Sequence, residues 1–213
     1  PLDPSGAQGV LADAQAILSM GCHPLAVATG FVASDSSGWT DCRAQEDDWV
    51  TLQARAVLED MPVAAFRVGM PMSVDNVVAI AEIVGDYPEI PLILSARQYG
   101  SDPQQDDDEI FAAMIELLIP QATLLVTGQQ TAESLLALVE SDEEEAEGEG
   151  ERSEGESPII LPGSLSGTPS LVVENLMGLG AEFVLLTGTH LNTPQIVNTL
   201  FGQQGVLRTD AWD

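Results

Sequence analysis

The sequence contains no lysine: its 6 basic residues are all arginine, against 34 acidic ones, for a formal net charge of −28 over 213 residues. The absence closes one reading at once. A Walker loop needs a lysine after its second glycine to reach the phosphates, and there is none. The charge balance would repel nucleic acid and anionic membrane surfaces, so neither is an expected partner. No run approaches the ~18 consecutive apolar residues of a membrane span, and no signal-peptide pattern is present, so a cytoplasmic protein is expected. Cysteine is scarce as well. Cys22 and Cys42 lack metal-ligand spacing and read as reduced, core-type thiols.

What is present is a hydrophobic content of 45%, enough to bury a core at this length. Short β-rich runs read as buried strands: residues 24–33, 63–69, 90–95, 122–127 and 182–188. Between them lie helical stripes: Val50, Ala54, Val57, Leu58 and Met61; Val74, Val77, Val78, Ala81 and Val84; and Ile110, Met114, Leu117 and Leu118. Ser73 and the Thr168-Pro169 pair are helix-start signals. Strands alternating with helices predict one α/β domain over residues 1–213, with a doubly wound, mostly parallel sheet covered by helices on both faces. Residues 196–210 read as a β-hairpin at the sheet edge. The run ESDEEEAEGEGERSEGES, residues 140–157, has no apolar periodicity and reads as a disordered acidic insertion without calcium-loop spacing.

The segment DPSGAQG at residues 3–9 is a turn before an apolar-periodic stretch. It does not complete the G-x-G-x-x-G dinucleotide fingerprint, and on spacing alone it reads as a helix-start turn. In an open parallel sheet ligands bind beyond the carboxyl ends of the strands. Attention therefore falls on residues 30–38, 69–73, 95–101, 127–131 and 188–192.

Six collinear blocks resemble the hydroxymethylpyrimidine/phosphomethylpyrimidine kinases of thiamine biosynthesis, members of the ribokinase-like superfamily. They are DPSGAQGVLADAQAILSMGCHPLAVAT (3–29), DSSG (35–38), DWVTLQARAVLEDMPVAAFRVGM (48–70), IAEIVGDYPEIPLIL (80–94), LLIPQATLL (117–125) and FVLLTGTHLNTPQIVNTLFG (183–202). The resemblance implies ATP-dependent phosphorylation of a small pyrimidine, Mg2+ as the accompanying ion, and a homodimer. It implies a pyrimidine pocket built from Gly6, Gly9, Asp13, Ser34 and Met70. A small-residue turn lets backbone approach a flat ring, and a carboxylate accepts from an exocyclic amine. Thr127, Thr187, Gly188 and His190 match positions near the nucleotide. The family pattern and this sequence part at several places. Ala7-Gln8 stand for Gly-Ala, Ser34 for a glutamine, and Ser95-Ala96-Arg97 for an Asp-Pro-Val type run. Residues 126–131 carry no carboxylate where the family has a Thr-Pro-Asn run followed by Glu. A G-[ST]-G-C anion-hole turn does not occur among these residues. Two readings follow: a pyrimidine kinase, or a catalytically inactive module of the same fold that binds a small molecule or oligomerises. A third is an acidic structural protein adapted to high salt.

Overall fold

The structure, a computed structural model, describes residues 1–35, 38–97, 107–147, 169–189 and 195–212. Its first elements are α1 (Gly9–Ser19), β1 (Gly30–Asp35), β2 (Gly38–Ala44), α2 (Asp47–Asp60), β3 (Phe66–Val68), α3 (Val74–Gly85), β4 (Leu92–Ala96) and α4 (Asp107–Leu117). A 3-10 turn at Ile119–Gln121 leads to β5 (Leu124–Gly128) and α5 (Gln129–Glu147). Then come α6 (Pro169–Gly178), β6 (Phe183–Thr189), β7 (Ile196–Gly202) and β8 (Gly205–Trp212).

Strands β3 to β8 form one sheet in chain order, parallel from β3 to β6 and antiparallel from β6 through β8. Register lines up Val68, Leu94, Leu125, Val184 and Phe201 as one apolar row across five strands. That row packs with α3, α4, α5 and α6 in the main core, where Leu94, Phe111, Leu125, Leu135 and Leu176 are fully buried. Each such side chain contributes about 1.5–3 kcal/mol by leaving water. Because strand side chains alternate, Arg67 and its register partner Ile93 lie on the opposite face, and Arg67 reaches Asp13 of α1 there. Helix α1 thus reaches the second face through this ion pair, with no residue of its own buried. Ser73 caps α3 as its sequence position suggests, its hydroxyl accepting from the Asn76 N–H at 3.2 Å.

Several expectations change. Residues 24–28 form no strand, and β1 is not part of the main sheet; it pairs antiparallel with β2 in a separate two-stranded ribbon. The apolar run 24–33 looked like a core strand, but Phe31 is exposed and only Val32 among its large side chains is buried. Its partner β2 is polar (Thr40, Asp41, Arg43) and has no alternation to betray it. The acidic run also begins as helix: α5 continues through Glu147, and the rest of the run lies outside the described residues. Ala132, Leu135 and Leu136 anchor the start of α5, and extending an existing helix through glutamate and alanine gains a hydrogen bond per residue. Neither cysteine is core-type: Cys22 is exposed and Cys42 half-buried, because both sit on elements outside the main core. The hairpin is where residues 196–210 place it, with Gly202 opposite Gly205. Among the described residues, no helix is long and apolar enough to cross a membrane.

The charge imbalance has a measurable consequence. Among the described residues the ion pairs are Arg55–Asp86 at 2.7 Å, Arg67–Asp13 at 3.3 Å and Arg208–Asp210 at 2.8 Å. With 34 acidic residues against 6 arginines, most of the negative charge has no matching cation in the chain. Raising salt from ~0.1 M to ~1 M shortens the screening length from ~10 Å to ~3 Å. The thermal midpoint is expected to rise across that range, and a salt-independent midpoint would show that self-repulsion does not limit stability.

Candidate functional site

The first turn is built around Asp3, which is 1% exposed. Its carboxylate accepts from the Ser5 N–H at 2.9 Å and from the Ser34 hydroxyl of β1. Leu2 and β1 add backbone bonds, Leu2 N–H to Gly30 O at 2.7 Å and Val32 N–H to Leu2 O at 3.1 Å. The loop is thus fastened to β1 by side chain and main chain together. Gly6 and Gly9 take φ of 70° and 65°, in the left-handed region that favours glycine. At Gly9 a Cβ would lie 2.3 Å from the Pro1 carbonyl oxygen.

Burial alone would raise the Asp3 pKa. Hydrogen bonds from the Ser34 and Ser5 side chains and from the Ser5 and Gln8 backbone outweigh it and hold the group below its ordinary value. With the folded pKa below the unfolded one, the unfolded chain binds more protons in that window, so stability rises with pH. The contribution is complete above the ordinary aspartate value of ~3.9 and disappears as pH falls through the lower, folded one. An Asp3→Asn variant is therefore expected to lose stability near neutral pH and to show a flatter acid limb in urea unfolding than the parent chain. An identical limb would remove Asp3 from the acid transition.

Asp13 lies one turn into α1, and its Oδ1 is 3.3 Å from Arg67 Nη2. Arg67 also donates through Nη1 to the Val68 carbonyl at 2.6 Å, which fixes the guanidinium against its own strand. Met70 follows β3 and is 2% exposed, packed within the main core. Gly6, Gly9 and Ser34 thus share one loop–ribbon assembly around Asp3, while Asp13, four residues after Gly9, is held to β3 by Arg67. The Ser34 hydroxyl donates its proton to Asp3, which leaves its oxygen as an acceptor.

The second group gathers at the carboxyl ends of the central strands. Thr127 and Thr187 lie on adjacent strands, and the Thr187 hydroxyl donates to the Thr127 carbonyl at 3.2 Å. The Thr127 hydroxyl donates to the Gly128 carbonyl at 3.2 Å, and the Gly188 N–H, at a φ of 68°, donates to Asn198 Oδ1 at 3.0 Å. The structure brings these three together but has already used their protons. His190 lies outside the described residues. Sequence reasoning did not select Ser95, Arg97 or Thr131 as site residues. Yet Ser95, Thr127 and Thr131 stand, with Asp3 and Asn76, as the buried polar side chains among the described residues. The signal available was the rarity of cations: Arg97 is one of only 6 in the chain.

Among the described residues, no group of three or more His, Cys, Asp or Glu is arranged to hold a metal ion. A magnesium ion carried mainly by substrate phosphates needs only one or two protein carboxylates. Glu133 of α5, which accepts from Gln129 Nε2 at 3.1 Å, is a carboxylate of the kind such an ion would use.

A mostly parallel central sheet packed with helices matches the ribokinase-like kinase fold. Its solved relatives include the phosphomethylpyrimidine kinase of Clostridium difficile, with a TM-score of 0.74 at 22% identity over 99% of this chain and 80% of that one. Pyridoxal kinase of Bacillus subtilis, solved as an ADP complex, also gives a TM-score of 0.74, at 19% identity over 100% of this chain and 72% of that one. The family model for phosphomethylpyrimidine kinase matches residues 3–212, and the chain belongs to that family. The hydroxymethylpyrimidine/phosphomethylpyrimidine kinase of Salmonella typhimurium is 27% identical over 211 residues, which cover 98% of this chain and 71% of that protein.

Proposed function

We propose that the chain is a kinase of the thiamine pathway that transfers a phosphoryl group from ATP to hydroxymethylpyrimidine and to its monophosphate. The observation that carries this reading is Asp13, held at 3.3 Å by Arg67 beside the loop that Asp3 shapes. A fixed, half-exposed carboxylate suits the exocyclic amine of a pyrimidine, which needs an acceptor. The positive-φ turn at Gly6 leaves the backbone bare of a side chain where a flat ring would approach, while Gly9 lets the loop close against Pro1.

ATP supplies the phosphoryl group, and Thr127, Thr187 and Gly188 form the wall it would lie against. Phosphoryl transfer is largely positioning and charge stabilisation, so the protein's task is to hold the pyrimidine hydroxyl in line and to neutralise the phosphates. Glu133 would hold the magnesium ion that accompanies the nucleotide. A second reading, an inactive binding or oligomerisation module, is favoured by the fact that Thr127, Thr187 and Gly188 donate within the protein.

Isothermal titration with hydroxymethylpyrimidine, followed by a phosphorylation assay with Mg-ATP, tests both. Saturable binding with product formation supports the kinase. Binding without product supports the inactive module. No binding of the pyrimidine overturns the assignment of Asp13 and the first loop.

A further inference from the structure

The donors nominated near the nucleotide are spent inside the protein, so a phosphate at this end of the sheet must find others. Two are at hand on β4 and just after it. Strand alternation places Ile93 and Ser95 on one face, opposite the fully buried Leu94 and Ala96, and Arg97 follows directly at the carboxyl end of the strand. This is the face on which Arg67 holds Asp13, because Arg67 and Ile93 are register partners. Four residues of strand separate Ile93 from Arg97, a step of ~13 Å toward the carboxyl edge. A ligand with its ring at Asp13 and its phosphate at the edge would run along that line.

The two side chains are unusual for this protein. Ser95 is only 9% exposed, and among the described residues its hydroxyl has no hydrogen-bond partner. Arg97 is exposed and, like Arg43 of the ribbon, has no ion pair among the described residues, whereas Arg55, Arg67 and Arg208 each pair with an aspartate; of the two, Arg97 is the one at the carboxyl end of a main-sheet strand. In a chain of net charge −28, an arginine at the carboxyl edge of the sheet with no ion pair among the described residues offers a cation to an anionic ligand. Guanidinium binds phosphate through paired N–H donors, and a neighbouring hydroxyl adds a third.

We infer that Arg97, assisted by the Ser95 hydroxyl, forms a phosphate-binding site at the carboxyl end of β4. This rests on the kinase reading for the origin of the phosphate, which belongs to the nucleotide or to the pyrimidine monophosphate. The two sources share the same chemistry, a phosphate dianion presented on the Asp13 face.

The test titrates the full chain, Arg97→Gln and Arg97→Lys at physiological ionic strength. The ligands are inorganic tripolyphosphate, ATP, hydroxymethylpyrimidine phosphate and unphosphorylated hydroxymethylpyrimidine. Arg97→Gln is expected to weaken tripolyphosphate and at least one phosphorylated ligand by about 10- to 100-fold, with Arg97→Lys intermediate. Binding of the unphosphorylated pyrimidine should not change. Loss confined to ATP assigns the site to the nucleotide, and loss confined to hydroxymethylpyrimidine phosphate assigns it to the substrate. Equal affinity of Arg97→Gln and the parent for every phosphorylated ligand overturns the site, as does absence of any phosphate binding by the parent. The kinase reading fails separately, by absence of pyrimidine binding, and tripolyphosphate still reports on Arg97 in that case. An unchanged urea midpoint for Arg97→Gln confirms that the fold is intact.

Discussion

Replacing Gly9 by alanine is expected to destabilise the protein by about 2–4 kcal/mol and to abolish pyrimidine binding. Two costs add at this position. The φ of 65° is strained for any residue with a Cβ, by about 1–2 kcal/mol. The added Cβ would also lie 2.3 Å from the Pro1 carbonyl oxygen, a backbone atom that cannot swing aside as a side chain would. That same carbonyl accepts from the Val10 N–H at 2.9 Å, so relieving the contact opens the bond that joins the loop to α1. Gly21 is the control. Its φ is 78°, but nothing lies within 4 Å of its added Cβ, so Gly21→Ala should cost only the φ strain. Urea unfolding of the two variants separates the effects. Equal losses would mean that the close approach at Gly9 relaxes at no cost.

Asp13→Asn is expected to weaken hydroxymethylpyrimidine binding by about 10- to 100-fold while leaving the unfolding midpoint nearly unchanged. A hydrogen bond to a charged acceptor contributes about 1.5–3 kcal/mol, and asparagine keeps the shape while losing the charge. The small stability effect follows from the ion pair with Arg67, whose side chains are 30% and 33% exposed. Pairs of that exposure contribute about 0–1 kcal/mol. Arg67→Met complements the test. It leaves the carboxylate but removes what fixes it, so it should weaken binding less than Asp13→Asn does. Unaltered affinity in Asp13→Asn would sink the assignment of this acid to the pyrimidine.

The two variants also mark how far the residues alone could lead. Gly9 and Asp13 were singled out by the family resemblance, whereas local spacing alone read the segment only as a helix-start turn. Arg67 was not singled out. It interrupts an apolar run, and its partner lies 54 positions earlier, a pairing visible only once β3 and α1 are brought face to face. Ser34 shows the opposite case. Its position was singled out for a ligand, but the fold places Asp3 within reach, and a buried carboxylate captures the nearest hydroxyl.

The parallel strands, their helices and the edge hairpin were legible because each follows from a period of 2 or 3.6 in nearby apolar residues. The strand run at 24–33 misled for the same reason. Local hydrophobicity cannot say which sheet a strand joins, and the polar β2 that completes the ribbon carries no apolar alternation. Composition by itself determined the extreme negative charge and the absence of a lysine-based phosphate loop, and the succession of apolar runs and helical stripes determined an α/β order of elements. Only the tertiary structure decided which polar groups remain available for a ligand. Thr127, Thr187 and Gly188 give their protons to partners on neighbouring residues and strands, whereas among the described residues Arg97 has no ion pair of the kind that occupies Arg55, Arg67 and Arg208. A hydrogen-bonding capacity is fixed by residue type, but whether it is already spent depends on which distant atoms the fold sets within about 3 Å.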